Sequence, residues 1–138
     1  MIKQVLVMRT DLGMRKGKMI AQGAHASMKV FFDRAQAHYP VIRSPADVGA
    51  PPELRIPLLT REEEKWVFGL FTKVCVQVKS EEELLRLHQQ AMAANLPCAL
   101  IEDAGKTEFH GVKTPTCIAI GPADAEAIDA ITGELKLL

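Results

Sequence analysis

Cysteine is scarce in this 138-residue sequence, and what there is does not pair. Cys75, Cys98 and Cys117 are odd in number and lack C-x-x-C spacing, which argues against a disulfide framework and against a zinc site. Each lies in an apolar, strand-like run, so buried free thiols in a reducing compartment are expected. Net charge is missing too. The 17 Lys and Arg balance the 17 Asp and Glu, so the chain as a whole is not a polyanion binder. No apolar run approaches the roughly 20 residues of a membrane span. No charged-then-apolar leader precedes the first strand, and the expected location is the cytoplasm. Disorder is excluded by composition: 48% hydrophobic and 25% charged residues suit one globular domain over residues 1–138.

What is present is unevenly placed. Residues 1–30 hold six basic side chains (Lys3, Arg9, Arg15, Lys16, Lys18, Lys29) against the single acid Asp11, while acids gather at 62–64 and 81–83. A local field of that kind steers anions even where the total charge is zero.

Alternating β-formers predict a strand over 2–9, ending in a polar turn at 10–13, and a helix from about 16 to 34. Residues 35–59 contain five prolines and few periodic apolar positions, which predicts a long loop or an elaboration. Thr60 and Glu63 form a capping box for a short helix through Gly69. A strand is predicted over 72–78, and Ser80 then caps a second long helix with acids in its first turn. Strands are predicted over 97–102 and 116–120; Pro122 starts a last helix that stops at Gly133, leaving the tail LKLL. Strands alternating with helices imply an α/β layered domain with a mixed sheet of about four strands. Ligands of such sheets collect at carboxyl ends of strands, which draws attention to residues 9–18 and 103–107.

The stretch "DLGMRKGKMIAQGAHAS" links the first strand to the first helix. It is not a Walker A loop: Gly13 to Met19 is one residue short, and Met19 stands where a hydroxyl must meet magnesium. At about 100° per residue, Ile20, Ala24, Ser27 and Phe31 share one side of the helix, expected to be its core face. Lys18, Gln22, His25 and Lys29 share the opposite side, a row of donors with no carboxylate to neutralise it. A solvated face would look the same. Lys18 favours an anion site, because it stands near a helix N-terminus where free N–H groups attract negative charge. His25, His38, His88 and His110 have no metal-ligand spacing, so no metal is expected. The second constellation, "IEDAGKTEFHG", puts Asp103, Lys106 and Thr107 around Gly105 at a strand exit. A polar site and a bare turn would both use these residue types.

Residues 9–26, R-T-D-L-G-M-R-K-G-K-M-I-A-Q-G-A-H-A, resemble the N-terminal signature of type-2 peptidyl-tRNA hydrolases. I-E-D-A-G-K-T-E is similar to that family's D-A-G-R-T motif, and I-A-I-G-P, I-D-A-I-T-G and L-K-L-L resemble its last strand, helix and tail. The resemblance implies an esterase that frees tRNA from prematurely released peptidyl-tRNA without metal or cofactor. It also implies a mixed four-stranded sheet flanked by helices on both faces, in a compact α/β domain usually found as a homodimer. The family's catalytic lysine, aspartate and threonine fall on Lys18, Asp103 and Thr107, and its other polar signature positions on Lys16, Gln22 and His25.

Three departures stand out. Lys106 replaces the family's usual arginine, a point charge in place of a bidentate fork. Residues 109–115 are one longer than usual, so Thr114 and Thr116 both compete to be the later family threonine. The proline-rich 35–59 stretch is longer than the usual link.

The implied reaction needs a positioned water, a stabilised oxyanion and a grip on RNA. Asp103 would orient the water or act as its base, orientation being favoured because a carboxylate paired with Lys18 is a weak base; Lys18 would face the oxyanion, and Thr107 would hold Asp103 or the ribose. Arg15, Lys16, Lys29 and Lys106 would meet the tRNA backbone, and Gln22, His25 and Thr116 complete the expected substrate-binding set. With aromatics at 5%, base stacking contributes little. The rival expectation is a non-catalytic tRNA-binding module on the same fold.

Overall fold

The computed structural model describes residues 1–105 and 109–138. Its centre is a four-stranded mixed sheet built from β1 (Ile2–Arg9), β4 (Lys73–Val78), β5 (Cys98–Asp103) and β6 (Thr114–Asp124), in the order β4-β1-β6-β5. β1 runs parallel to β4 and antiparallel to β6, and β5 is antiparallel to β6. Alternation along β1 divides the core. Val5 and Val7 meet Leu84 and Leu87 of α3 (Glu81–Ala93) and Ile128 of α4 (Ala125–Thr132). Leu6 and Met8 face Ala26 and Val30 of α1 (Lys16–Phe32) and Trp66 of α2 (Arg61–Val67). Helices therefore flank both faces of the mixed sheet, as expected. No helix among the described residues is long and apolar enough to cross a membrane.

The N-cap residues are the ones the sequence predicts, but the expected capping box at Thr60 is only half formed. Thr60 Oγ1 accepts the Glu63 N–H and Ser80 Oγ accepts that of Glu83, both at 3.1 Å. The Glu63 carboxylate does not close a reciprocal box on Thr60; it accepts the Leu59 N–H at 2.8 Å and pairs with Arg34 at 2.8 Å, itself wholly buried. The 35–59 stretch carries a short exposed hairpin, β2 (Gln36–His38) against β3 (Glu53–Arg55), with a 3-10 turn at Pro45–Asp47 between them.

Three expectations need correction. Pro122 does not start a helix. β6 continues to Asp124, and Gly121 and Pro122 fall in a register shift opposite Gln4, where the ladder makes no demand on the proline nitrogen. The core face of α1 is also turned from the one predicted: Gln22, Gly23, Ala26, Val30 and Phe31 are buried, whereas Ile20 is 73% exposed. Gly23 faces Leu6 and Met8, and Gln22 can be buried because its amide is satisfied from both sides. Finally, the cysteines are free, but only Cys117 is buried; Cys98 is half-buried and Cys75 exposed on β4. Burial pushes the Cys117 thiol up to about 12.

Candidate active site

β1 and β5 both end where β6 begins, because β6 runs antiparallel to each. The first turn of α1 lies over this corner. Lys18 Nζ donates to Asp103 Oδ1 at 2.7 Å, joining residues 85 positions apart in the chain. Both side chains are largely shielded, 16% and 13% exposed. Gln22 Nε2, one helical turn further on, donates to the same Oδ1 at 3.2 Å. The other carboxylate oxygen accepts the Gly105 N–H at 2.8 Å. Gly105 has φ +80°, and a Cβ there would run into the backbone of Gly111 and Val112. Glycine is therefore required for the turn that presents its N–H to Asp103.

Asp103 thus sits among three donors, and the Lys18 hydrogen bond, ahead of the opposing burial, holds its carboxyl below the usual carboxylate range. The ring of Phe109 lies 5.8 Å from Lys18 Nζ, an apolar wall beside the ammonium.

Behind this pair is a buried relay. Thr116 Oγ1 donates to Gln22 Oε1 at 3.0 Å, which fixes the amide so that its NH₂ faces Asp103. Thr114 instead donates to the Val112 carbonyl at 2.8 Å. Of the two threonines left open by the sequence, Thr116 joins the network. Gln22 and Thr116, expected among the substrate-binding residues, are 3% and 0% exposed and meet Asp103 and each other.

The remaining expected residues are dispersed. Arg15, at the N-cap of α1, and Lys16 are exposed at the helix start; Lys16 lies on the flank facing Phe71, Lys73 and Leu138, away from Asp103. His25 and Lys29 line the groove between α1 and β5. The row of donors is not free of carboxylates, since Lys18 pairs with Asp103 and Lys29 with Asp33, each at 2.7 Å. Lys106 and Thr107 lie outside the described residues.

One pair escaped the sequence reading. The Arg9 guanidinium is buried and grips Asp11 with two bonds, Nε to Oδ1 at 3.1 Å and Nη2 to Oδ2 at 2.6 Å. Its Nη1 reaches the Pro115 carbonyl at 3.0 Å, next to Thr116. Arg9 therefore ties the β1 exit to the β6 entry and holds the Asp11 carboxyl below its ordinary range. The R-T-D spacing at a strand end was the available signal: a side chain and the one two residues on lie on the same face of an extended chain.

Comparison with known proteins supplies the remaining link. The family model described as peptidyl-tRNA hydrolase PTH2 matches residues 2–138. A protein of Methanocaldococcus jannaschii named peptidyl-tRNA hydrolase is 40% identical over 137 residues, covering 99% of this chain and 100% of its own. Proteins with the same name from Methanopyrus kandleri and Sulfurisphaera tokodaii are 38% and 40% identical, covering 100% and 99% of this chain and 99% and 98% of their own. Matches of this extent leave neither the sheet nor the Lys18–Asp103 corner outside the aligned region, and the chain belongs to the peptidyl-tRNA hydrolase PTH2 family.

Proposed function

We propose that this protein hydrolyses the ester that joins a peptide, or an N-blocked aminoacyl group, to the 3′-terminal ribose of tRNA. The observation that carries the reading is the 2.7 Å contact between Lys18 and Asp103, which unites the two motif blocks of a family member at the carboxyl ends of strands. Water adds to the ester carbonyl carbon, the tetrahedral oxyanion collapses, and the ribose oxygen leaves with a proton while the peptide carboxylate is released.

Asp103 orients the attacking water. A carboxyl held below its ordinary range by an ammonium is a weak base, so positioning outweighs proton abstraction. Lys18 is the cation nearest the developing oxyanion, a role worth about 3–4 kcal/mol for a single oxyanion donor. Gln22 and Thr116 hold the carboxylate in place, and Thr107 completes the catalytic set. Arg15, Lys16, Lys29 and Lys106 form the contact to tRNA phosphates, a grip that weakens as salt rises.

The enzyme works in the cytoplasm without metal or cofactor, as a homodimer. Exposed Ile20 and Leu138 along a groove of about 800 Å³ between α1 and β4 support association of two copies. The test is incubation with N-acetyl-aminoacyl-tRNA. Release of the acyl group with intact tRNA supports the hydrolase; tight binding of the tRNA without release would leave only a binding module.

A further inference from the structure

The sheet has two edges, and the chain treats them differently. The β4 edge is covered by the C-terminal tail: the Leu138 N–H reaches the Cys75 carbonyl at 3.1 Å and the Gln77 N–H reaches that of Lys136 at 3.0 Å, with a bridge between Val76 and Leu137. The β5 edge has no partner strand among the described residues. Its sequence, CALIED, contains neither proline nor lysine, the usual residues that blunt an exposed edge. This open edge also runs straight into the candidate site, since its last residue is Asp103.

We propose that the β5 edge is where the peptide of the substrate docks, as an added strand. The proposal rests on the hydrolase reading and extends it to the peptidyl half of the substrate. The Gly121 N–H donates to the Pro97 carbonyl at 2.7 Å, and two and four residues further along the ladder Ala99 lies opposite Ala119 and Ile101 opposite Cys117. Residues 97, 99 and 101 therefore turn their backbone groups toward β6. By the alternation of an antiparallel ladder, Cys98 and Leu100 turn theirs outward. Each offers one N–H and one C=O to an incoming chain.

Direction is set by chemistry. The ester carbonyl must lie at Lys18 and Asp103, at the carboxyl end of β5, so the peptide runs parallel to the strand with its N-terminus toward Cys98. The six residues of β5 span about 20 Å, room for five or six peptide residues. Beside the edge is a groove of about 520 Å³, in which Met28 and Phe32 of α1 face Leu100, with His25, the Lys29–Asp33 pair and Glu102 at its polar margins. Met28 and Phe32 are 53% and 41% exposed, a narrow apolar strip between polar margins. Backbone pairing then provides affinity while side-chain selection stays weak, which suits a substrate whose peptide can have any sequence. An aminoacyl group, having no amide beyond its own residue, gains none of these bonds.

The experiment compares tRNAs bearing N-acetylated chains of one, three and five residues, and five-residue chains N-methylated at one amide at a time. The kcat/KM is expected to rise about tenfold or more from one residue to five. N-methylation should lower it about fivefold at alternate amides and leave the intervening ones unchanged, as strand pairing requires. Scrambled side chains should cleave alike. Equal rates for one and five residues, with no alternation, overturn the proposal while leaving the hydrolase reading intact. If a second copy of the chain holds the edge, the same flat result is joined by concentration-dependent protection of the Cys98 and Leu100 amides from hydrogen exchange. Failure to cleave any member of the series overturns both.

Discussion

Replacing Thr116 by valine removes one hydroxyl from a site with no solvent access, and the loss travels along a short chain of hydrogen bonds. Thr116 Oγ1 is the donor that fixes Gln22 Oε1 at 3.0 Å, and Gln22 in turn donates to Asp103 at 3.2 Å. Valine leaves that amide oxygen buried without its donor, a loss of about 1–3 kcal/mol of stability. For a domain of this size the corresponding fall in Tm is about 4–12 °C. The catalytic effect passes through Asp103. A hydrogen bond to a charged acceptor contributes about 1.5–3 kcal/mol. Loosening it, without abolishing it, should cost about 1.4 kcal/mol in the transition state, or about tenfold in kcat. KM should not change, because Thr116 is 0% exposed and cannot touch substrate. Single-turnover release of N-acetyl-aminoacyl groups from tRNA, well below Tm, reads this out; Thr116→Ser, which keeps the donor, should restore the rate. A cycle with Gln22→Met gives the sharper outcome, since the valine penalty should largely vanish once the amide is gone. An undiminished penalty in the Gln22→Met background would refute the relay, as would wild-type kcat in folded Thr116→Val.

Three further expectations come from other parts of the fold. The Asp103 carboxyl is depressed chiefly by Lys18, so the stabilisation from that pair is full above the unfolded value near ~3.9 and is lost as pH falls through the lower folded value. Lys18→Met should therefore raise the Asp103 carboxyl titration seen by ¹³C NMR, and its Tm deficit against wild type should shrink below about pH 4. Gly105→Ala forces a Cβ into the Gly111 and Val112 backbone at φ +80°; it should lower stability by about 1–3 kcal/mol and kcat more than tenfold, checked by thermal melts and single-turnover rates. Arg34→Met strands the fully buried Glu63 carboxylate and should lower stability by about 3 kcal/mol in urea titration, with kcat at 25 °C unchanged.

What the sequence disclosed was mostly local. The extent of β1, the caps at Thr60 and Ser80 and the glycine turn after Asp103 depend on neighbours a few residues away, and a linear reading finds them. The rotation of α1 could not be read that way. Helical spacing set Ile20 against Gln22, and hydropathy assigned the isoleucine to the core. Gln22 is buried because Thr116 and Asp103, 94 and 81 residues away, satisfy its amide. The same long-range bonding chose Thr116 over Thr114. Pro122 read as a helix start because a bulge that excuses a proline from a sheet ladder depends on the opposing strand, here at Gln4. Arg9 and Asp11 lay in the quoted motif, yet their tie to the Pro115 carbonyl spans 106 residues and required the folded chain.

The proposed function requires Lys18 and Asp103 to act as one catalytic unit. Single-turnover hydrolysis of N-acetyl-aminoacyl-tRNA by Lys18→Met, Asp103→Asn and the double variant tests it directly. The account predicts that each single change lowers kcat by about two orders of magnitude or more, with the double variant little worse than the poorer single. Wild-type kcat in either folded single variant, or losses that simply multiply in the double, would contradict it.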